Sequence, residues 1–543
     1  MSDPTTTPTA PKPEGDARAD PAARWRAIRA WFTRTYLTVD PRSLGAGRIA
    51  LALVLLIDLL RRVPDIELWY SNNGLVPNHT LLWRPPTQWM FSFFFMASWT
   101  DEAVIGFVLC GLVYLGLLVG WRTRLMQFLS LLAVLSLHGR STFIENGGDW
   151  MLAELSVWTA FLPLGRRFSV DAWLAGLRPD GKPDNTPVVS LAMLGILIQL
   201  AVSYIFNALH KGGATWRDGT AVHYVLHQDR MVTWLGVWAR PYMTLLLSKV
   251  LSYGSLVVES LLPVLVGSPV YRVVTRRLAI LSVIALHLGF QLAINLGVFS
   301  LVMIAYVPFL MTSEDWEVLG RWATRRGSIP RPGRWLSSWL LSLAPVARLA
   351  ARAARRPAPP PPTPAMAFRR RLVAVLREGM VAVMIAVLAS ELFIGNAILS
   401  TRLKFPQPEL MKMLVAYPRL IQAWSMFAPD APTVDETIVI DAVTADGRHV
   451  DPYNQIAGRY PSHATTEIPV RLGNDSFFFN YSSRIPFTQT YWGALQEWIL
   501  AYPRRTGRAE DRIVSFEVSI VEDDSPPPGE TQPRKVRSRV FLR

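Results

Sequence analysis

Polar and ionisable side chains that interrupt apolar sequence are the first candidates for chemistry. In the segment SYIFNALHKGGATWRDGTAVHYVLHQ, residues 203–228, an apolar stretch ends with Asn207, His210 and Lys211 and leads into a glycine-containing loop. A lysine at such depth is costly unless it is paired or reaches water. It could be a side chain that extends from a helix end toward water, which the residues alone favour. It could instead be a partly desolvated amine that acts as a base.

A second polar segment is HGRSTFIENGGDW, residues 138–150, which lies between two apolar stretches. It brings His138, Arg140, Asn146 and Asp149 together in the sequence, and Gly147-Gly148 allows a sharp turn or a close approach of the backbone to a ligand. Asp149 could cap the following helix, or it could belong to a functional site. We weigh these two interpretations equally, because one residue can serve both roles.

A third polar pattern interrupts the apolar stretch around residue 287. His287, Gln291 and Asn295 recur at intervals of four residues, so on a helix they form a stripe on one face. Hydrogen bonding between helices is the interpretation that we favour slightly over a functional one. The sequence shows no zinc motif, phosphate loop, nucleophile elbow or dinucleotide fingerprint. Since isolated histidines do not make a metal site, no metal is expected.

Composition indicates the kind of protein that holds these side chains. Apolar residues make up 50% of the 543 residues and charged residues 18%, with 20 Trp and 24 Phe, which is typical of a membrane protein. The net charge is +15, but the arginines cluster beside apolar stretches, so we expect a lipid bilayer and no nucleic acid as partner. Cys110 is the one cysteine and lies in an apolar stretch, which excludes a disulfide within the chain.

The apolar stretches predict a polytopic all-α transmembrane bundle of about nine helices, since a crossing needs about 20 mostly apolar residues. The predicted crossings are Gly45–Leu60, Ala103–Trp121, Leu125–Leu137, Met151–Leu164, Pro187–Leu209, Tyr242–Val266, Leu278–Leu296, Val298–Met311 and Met380–Leu399. Several are short. The aromatic stretch Met90–Trp99 is interpreted as an interfacial or re-entrant segment.

Arginine and lysine placement predicts the orientation of this bundle. The basic segments fall in alternate loops, so the positive-inside rule assigns the N-terminus to the cytoplasm and the C-terminal region to the outside. The composition, rich in Arg, Ala and Pro, suggests a bacterial protein. We therefore expect the chain in the inner membrane and its C-terminal domain in the periplasm. The predicted units are a disordered basic N-terminus (1–42), the transmembrane domain (43–312), an Arg/Pro-rich cytoplasmic linker with an amphipathic helix (313–372), the last transmembrane helix (373–400) and an extracytoplasmic domain (401–543).

The C-terminal region changes character after residue 400. The segments ETIVIDAV, SFFFNYSS and RIVSFEVSIV are short, rich in β-formers and bounded by turn residues, so each predicts a strand. TADGR at Thr444–Arg448 predicts a hairpin turn, and Tyr491–Tyr502 has helical spacing. We therefore expect a small α+β or β-sandwich-like domain.

An ordered set of motifs resembles a known family. The motifs YSNNGLVP, LLVGWRTR, NGGDWML, FLPLGRRFSVDAWL, HKGGATWRDGTAVHY and HLGFQLAINLGVFS occur in this order between about Ser43 and Leu310. They resemble the HTTM family, membrane proteins related to the vitamin K-dependent gamma-carboxylases. QAWSMFAPDAP and VTADGR also look like the start of the family's outer domain, so the resemblance spans most of the chain.

The resemblance implies a chemistry for the loop of Lys211. In the animal carboxylase, a lysine shortly before a tryptophan deprotonates vitamin K hydroquinone, and Lys211 with Trp216 stands at the matching position. The cofactor would be reduced vitamin K or menaquinone, used with oxygen and carbon dioxide on a peptide or protein glutamate. The candidate quinone-binding residues are Tyr204, Asn207, His210, Trp216, Arg140, His287 and Gln291.

One departure from the family pattern limits this expectation. The animal enzymes carry an Asn-His pair where this chain has NGGD, so Asn146 matches the asparagine but no histidine follows it. Asp149 or His138 could substitute. We therefore expect a gamma-carboxylase-like membrane enzyme in which the hydroquinone chemistry is better supported than the carboxylation. The alternative is a non-catalytic lipid-binding, transport or assembly protein that keeps the family fold.

Overall fold

The fold is that of a helical membrane protein with a small sheet near its C-terminus. The computed structural model describes residues 21–85, 89–178, 184–325, 342, 344–355, 363–457, 476–530 and 536–543. Predictions that concern residues 1–20, the prolines at 357–362 and most of the amphipathic segment Arg334–Leu349 lie outside these residues.

Every apolar stretch predicted to cross the membrane contains a helix. In chain order the principal helices are α1 (Pro41–Arg62), α2 (Thr100–Val119), α3 (Thr123–Arg140), α4 (Gly147–Ala160), α5 (Leu191–His210), α6 (Leu245–Gly267), α7 (Arg272–Ala293), α8 (Phe299–Ala305, followed by Val307–Leu310) and α9 (Pro364–Gly395). Six of them, all except α3, α4 and α8, are long and apolar enough to cross a membrane, and the first of these crossings continues through Tyr70. The total of nine crossings therefore stays a prediction, because α3, α4 and α8 do not meet this criterion of length and apolar character.

The helix boundaries follow from capping chemistry that the sequence contains. Asp40 caps α1 by accepting a hydrogen bond from the backbone of Arg42, and Pro41 occupies the first turn. Ser190 caps α5 in the same way. Gly120 ends α2 in the left-handed conformation at φ 72°, which glycine adopts without steric cost.

Alternate connections gather at the same end of the bundle. At one end, Ser43 at the start of α1 donates to Met311, Tyr36 donates to Gly267 at the end of α6, and Arg272 at the start of α7 donates to Arg34. At the other end, Lys211 follows α5 and Asn146 precedes α4. The turn at Arg122 and the helix Val170–Gly176 lie together, since the backbone of Arg122 donates to Asp171, and Phe168 packs against Trp316. The alternation of the loops and the side of the membrane on which each end lies stay predictions.

Shorter helical elements precede, connect and follow the principal helices. The short α-helices are Pro21–Phe32, Ile66–Tyr70, Asn78–Trp83, Val170–Gly176, Ala214–Arg217, Ala221–Leu226, Trp234–Ala239, Ser313–Arg325, Ala344–Ala354, Glu409–Ala416, Pro452–Ala457, Ser476–Arg484, Trp492–Leu500 and Tyr502–Thr506. Thr33–Leu37 is a π-helix, and the 3₁₀ turns are Val63–Asp65, Phe93–Met96, Leu164–Arg166, Arg240–Tyr242, Thr401–Leu403, Ile485–Phe487, Gln489–Tyr491 and Ala509–Asp511.

Two antiparallel sheets complete the described fold. Strands β1 (Thr38–Val39) and β2 (Val188–Val189) pair near the start of α1. The C-terminal sheet has the order β4-β3-β5-β6, built from β3 (Val434–Thr444), β4 (His449–Val450), β5 (Ile513–Asp524) and β6 (Val536–Leu542). The strand predictions for ETIVIDAV and RIVSFEVSIV, the TADGR hairpin and the helix near Tyr491–Tyr502 are confirmed.

Three local predictions were wrong. SFFFNYSS forms the helix Ser476–Arg484, because Phe477, Phe478 and Tyr481 bury one face against the bundle and this packing outweighs the β propensity of the aromatic residues. Residues 21–42, assigned to a disordered N-terminus, contain helix and strand. Asn295 lies beyond the end of α7, so the polar stripe of that helix stops at Gln291.

The C-terminal region packs directly on the bundle. One buried apolar core contains residues of the bundle, such as Trp69 and Leu152, together with Phe477 and with Ile440 and Val518 of the sheet. Trp69 packs edge-on against Phe478, with ring centroids 5.7 Å apart. The sheet and the helix Ser476–Arg484 therefore help to form the site at that end of the bundle.

Candidate active site

Lys211 lies in a buried ion pair with Glu259. The lysine is 7% exposed, and its Nζ donates to both Oε1 and Oε2 of Glu259 at 2.7 Å. Nζ also lies 4.4 Å from the ring centroid of Trp216, a cation–π contact. The interpretation of Lys211 as a solvent-seeking side chain at a helix end is therefore wrong, because the amine turns inward to a carboxylate.

Three elements position this pair. Asn207 and Lys211 share one face of α5, and the Nδ2 of Asn207 donates to Glu259 at 3.1 Å. Glu259 projects from α6, which makes the densest helix–helix contact of α5. Trp216 lies in the short helix Ala214–Arg217 that follows the Gly212-Gly213 turn. The cluster is hence built where two apolar helices meet a polar loop.

Burial and pairing act in opposite directions on the lysine. Burial lowers the pKa of the Lys211 amine below its ordinary value, although the Glu259 carboxylate opposes this by its charge and its hydrogen bonds. A lowered pKa favours the neutral amine, the form that can accept a proton. The geometry thus places the amine and the carboxylate in direct contact at a buried position.

Tyr204 and His287 form a second polar pair close to the first. The hydroxyl of Tyr204 lies 2.6 Å from Nε2 of His287, and both side chains are buried. Tyr204 precedes Asn207 by about one turn of α5, on the same face. His287 also packs edge-on against Phe299, with centroids 5.4 Å apart. The predicted interhelical hydrogen bond of His287 is confirmed, and its partner is α5.

His138 and Asp149 belong to a separate buried network. Arg62 donates from Nη2 to Asp58 at 3.0 Å and to Asp149 at 2.8 Å, and His138 Nε2 lies 3.1 Å from Asp58. The hydroxyl of Tyr70 accepts from Nη1 of Arg62 at 2.9 Å. All five side chains are nearly or fully buried. This network joins α1, α3 and α4 beneath the 138–150 loop.

The same network bears on the question of a metal. Asp58, His138 and Asp149 offer ligand atoms that lie within 4.8 Å of one another, which a small cation could use. However, Arg62 donates to both carboxylates. A guanidinium therefore already supplies the positive charge that a metal ion would bring. We interpret the cluster as an internal ion network.

Asn146 and Asp149 form the cap of α4. The side chain of Asn146 accepts from the backbone of Gly148 at 2.7 Å, and the carboxylate of Asp149 accepts from the backbone of Asn146 at 2.9 Å. The capping interpretation of Asp149 is thus confirmed, and Asn146 is the second member of the cap. The Nδ2 of Asn146 is buried and has no hydrogen-bond partner among the described residues, so one polar atom of this cap is free for a ligand.

A segment from the C-terminal region crosses the site. We call residues 419–430 the strap. Arg419 pairs with Glu145 of the 138–150 loop, and Gln422 donates to Glu154 of α4 at 2.7 Å. At its other end, Asp430 accepts from the backbone and hydroxyl of Thr215 at 2.8 and 3.1 Å. The strap therefore ties the Asn146 loop to the Lys211 loop.

An apolar cavity of about 180 Å³ opens beside the Asn146 loop and the strap. It is lined by Asn146, Gly147, Gly148, Met231, Leu296, Phe299, Met426, Phe427, Phe479 and Asn480. Phe299 contacts His287, and the carbonyl of Phe427 accepts from the indole of Trp216 at 2.7 Å. Lys211 itself does not line the cavity. Its amine lies over the ring of Trp216, and the indole of Trp216 is hydrogen-bonded to Phe427 in the cavity wall.

Three predicted residues are not brought into this group. His210 bonds back to Phe206 of its own helix through Nδ1 at 2.7 Å. Arg140 is buried and donates to the carbonyl of Val76 at 2.9 Å, where it supports the turn before the helix Asn78–Trp83. Gln291 is half-buried, and none of the hydrogen bonds within the described residues joins it to Lys211 or His287.

Sequence reasoning missed several residues of the site. Glu259, Asp58 and Arg62 each place a charge inside an apolar helix, and such a charge is by itself a sign of function or pairing. That signal could have found them. Asp430 and Gln422 carry no comparable signal, since their importance comes from contacts more than 200 residues away in the sequence.

Comparison with known proteins identifies the family. The comparisons with curated proteins and with solved structures gave no significant match. Against protein-family models, residues 36–316, more than half of the chain, match the HTTM domain. The match includes Lys211, Glu259, the 138–150 loop and α1 to α8. With six helices among the described residues able to cross a bilayer, the chain is an integral membrane protein and belongs to the HTTM family.

Proposed function

We propose that this protein is a gamma-carboxylase-like membrane enzyme that acts on a quinol, with Lys211 as the base. The observation that carries the proposal is the buried Lys211 amine, held by Glu259 and covering Trp216, one contact away from an apolar cavity. The relationship of the HTTM domain to vitamin K-dependent carboxylases supports it. Carboxylation of a peptide or protein glutamate is the second half of the proposed activity.

The cavity residues fit the ring of a quinol. Phe299, Met426, Phe427 and Phe479 supply aromatic and thioether surface, which suits a flat apolar ring. The free Nδ2 of Asn146 offers one hydrogen-bond donor at the rim. A bound quinol would supply an acidic hydroxyl and, with oxygen, the oxidising power for epoxide formation. Apolar walls with few polar groups are the usual form of such sites.

Each residue of the Lys211 cluster has a defined part in this proposal. The neutral amine of Lys211 accepts a proton at Nζ, and Glu259 stabilises the resulting ammonium through two hydrogen bonds. Asn207 orients Glu259 through its Nδ2. Because the Trp216–Phe427 contact lies between the amine and the cavity wall, a ligand must displace that contact to reach Nζ.

Turnover of reduced menaquinone by the purified full-length protein tests the proposal. The assay supplies oxygen and labelled bicarbonate in lipid nanodiscs and measures the epoxide and the incorporated label. Lys211→Met should abolish epoxide formation, because methionine keeps the length of the side chain but cannot accept a proton. Lys249→Met is the matched control, since Lys249 is a half-buried lysine of α6 outside the cluster.

A second variant separates capping from ligand binding. Asn146→Ser keeps a good helix cap but removes the amide donor, so it should fold normally and raise the KM for the quinol. Equal epoxide formation by Lys211→Met and Lys249→Met would contradict the role of Lys211.

The alternative function is that of a non-catalytic lipid-binding, transport or assembly protein. It is favoured by the ion pair itself, because the carboxylate 2.7 Å away stabilises the ammonium form of Lys211, which cannot accept a proton. The missing histidine after Asn146 points the same way. Wild-type protein that forms no epoxide, yet carries a lipid in the Phe299–Met426 cavity on purification, would establish this function in place of the enzyme.

A further inference from the structure

A second cavity, of about 120 Å³, lies at the opposite end of the bundle from Lys211. Its walls come from the π-helix Thr33–Leu37, strand β1, the first turns of α7 and the residues that follow α8. The polar side of this cavity contains two arginines of α7, Arg272 and Arg276. Because it shares no lining residue with the candidate active site, the two cavities are separate sites.

Arg276 is a buried cation without a counter-ion. It is 3% exposed, and its Nε has no hydrogen-bond partner. No ion pair among the residues that the structure describes involves Arg276. Arg272, one turn earlier, uses Nη1 to donate to the carbonyl of Arg34 at 2.7 Å, while its Nε is also without a partner. A buried guanidinium that is not paired is strongly unfavourable, so Arg276 offers unused donors, and the half-buried Arg272 lies one turn away.

Among the described residues, neither carboxylate that lines the cavity forms an ion pair with Arg276 or Arg272, although the charge of Glu314 attracts Arg272. Asp40 is engaged by Arg42 through two hydrogen bonds of 2.7 and 3.0 Å. Glu314 is exposed at the rim. Helix α7 begins at Arg272 without a side-chain cap, so the positive end of its dipole lies at the same place. Positive potential therefore dominates the polar side of the cavity.

Apolar side chains share the lining with these polar groups. Met193 and Leu197 of α5 and Phe309 and Leu310 at the end of α8 also line the cavity. A phosphate group suits two guanidiniums, which bind its oxygens in a forked geometry. We propose that this cavity binds a phosphate group through Arg276 and Arg272, supplied either by the headgroup of an anionic phospholipid or by free phosphate. The proposal is independent of the activity proposed for Lys211.

Thermal unfolding of the full-length protein in an uncharged detergent tests the site. The probes are inorganic phosphate and a short-chain phosphatidylglycerol, with phosphatidylcholine of the same chain length as the zwitterionic comparison. Wild-type protein should unfold at a higher temperature when the anionic probe is present. Arg276→Gln should bind it at least ten-fold more weakly, and without anion it should unfold at a higher temperature than the wild type, since its unpaired charge is gone.

Matched variants make the outcome decisive. Arg321→Gln removes an exposed arginine from the helix Ser313–Arg325 at the same end and should respond like the wild type. A response to phosphatidylglycerol alone assigns the phosphate to a lipid, and a response to both probes admits the free ion. No response of the wild type, or equal responses of Arg276→Gln and Arg321→Gln, would overturn the site. Retention of phospholipid in native mass spectra, lost in Arg272→Gln, tests it even if Arg276→Gln fails to fold.

Discussion

At the scale of single residues, the pair Lys211–Glu259 decides how the site behaves. Both side chains are less than 8% exposed, and together they are close to neutral, whereas either one alone would be an isolated buried charge. Removal of one partner from such a pair typically costs about 3–5 kcal/mol. The pair therefore contributes to stability as well as to the proposed chemistry.

A double-mutant cycle measures this coupling. Glu259→Gln and Lys211→Met should each lower the free energy of unfolding by about 3 kcal/mol, because each leaves a charge without its partner. The double variant should lose less than the sum by about 2 kcal/mol or more. Thermal or denaturant unfolding in detergent supplies the values. Additive effects would show that the two groups are not coupled.

At the scale of elements, the strap connects the two loops of the site. Its residue Asp430 holds the Lys211 loop, and a Cβ added to Gly213 would come within 2.2 Å of the Asp430 carboxylate, so only glycine fits where the two segments meet. The strap comes from outside the region matched to the HTTM domain. The position of the Lys211 loop therefore depends on a segment that lies more than 200 residues later.

Asp430→Ala tests this dependence. Loss of two hydrogen bonds to a carboxylate should weaken the loop by about 2 kcal/mol, so hydrogen exchange at residues 211–220 should become about thirty-fold faster. Asp446→Ala is the control, because Asp446 is an exposed carboxylate that bonds within its own hairpin. Unchanged exchange in the loop would show that the bundle alone holds it.

At the scale of the whole molecule, a buried carboxylate links the sheet to the bundle. Asp435 of β3 is fully buried and lies 3.2 Å from Nε of Arg230, in the connection before α6. Burial raises the pKa of Asp435 to about 6; Arg230 opposes this and Asp229 adds to it. The contact between sheet and bundle is therefore sensitive to pH.

The resulting pH dependence has a definite sign. Between pH 3.8, the ordinary pKa of this carboxyl, and about 6, the folded protein binds more protons at Asp435 than the unfolded chain does. The contribution of Asp435 to stability should thus be highest below pH 4 and fall by up to about 3 kcal/mol as the pH rises through 6. The difference in unfolding temperature between the wild type and Asp435→Asn, followed from pH 4 to 7, measures this effect. A difference that does not change with pH would contradict it.

The orientation of the molecule in the membrane is also open to a direct test. In a Cys110→Ser background, cysteine at the exposed position Ser515 of β5 should react with an impermeant thiol reagent on intact cells. Cysteine at Glu317, exposed at the arginine-rich end, should react only after permeabilisation. The opposite pattern would reverse the predicted orientation.

The sequence by itself determined the class, the family and much of the local structure. The family is recognised from motifs that occur in a fixed order along the chain. The helices are predicted from apolar stretches, most of them long enough to cross a bilayer. The cap at Asn146–Asp149 and the TADGR hairpin were predictable because their contacts lie within a few residues of one another. Lys211 was singled out because a charge beside apolar sequence needs an explanation.

Only the tertiary structure decided what surrounds these residues. Glu259 meets Lys211 because α5 and α6 pack together, and SFFFNYSS becomes a helix because the bundle offers its aromatic residues a surface. The strap, the cavity beside Phe427 and the unpaired Arg276 depend in the same way on packing between distant segments. The local sequence shows which charged or polar side chains need an interaction partner. The packing of the helices determines which residue that partner is.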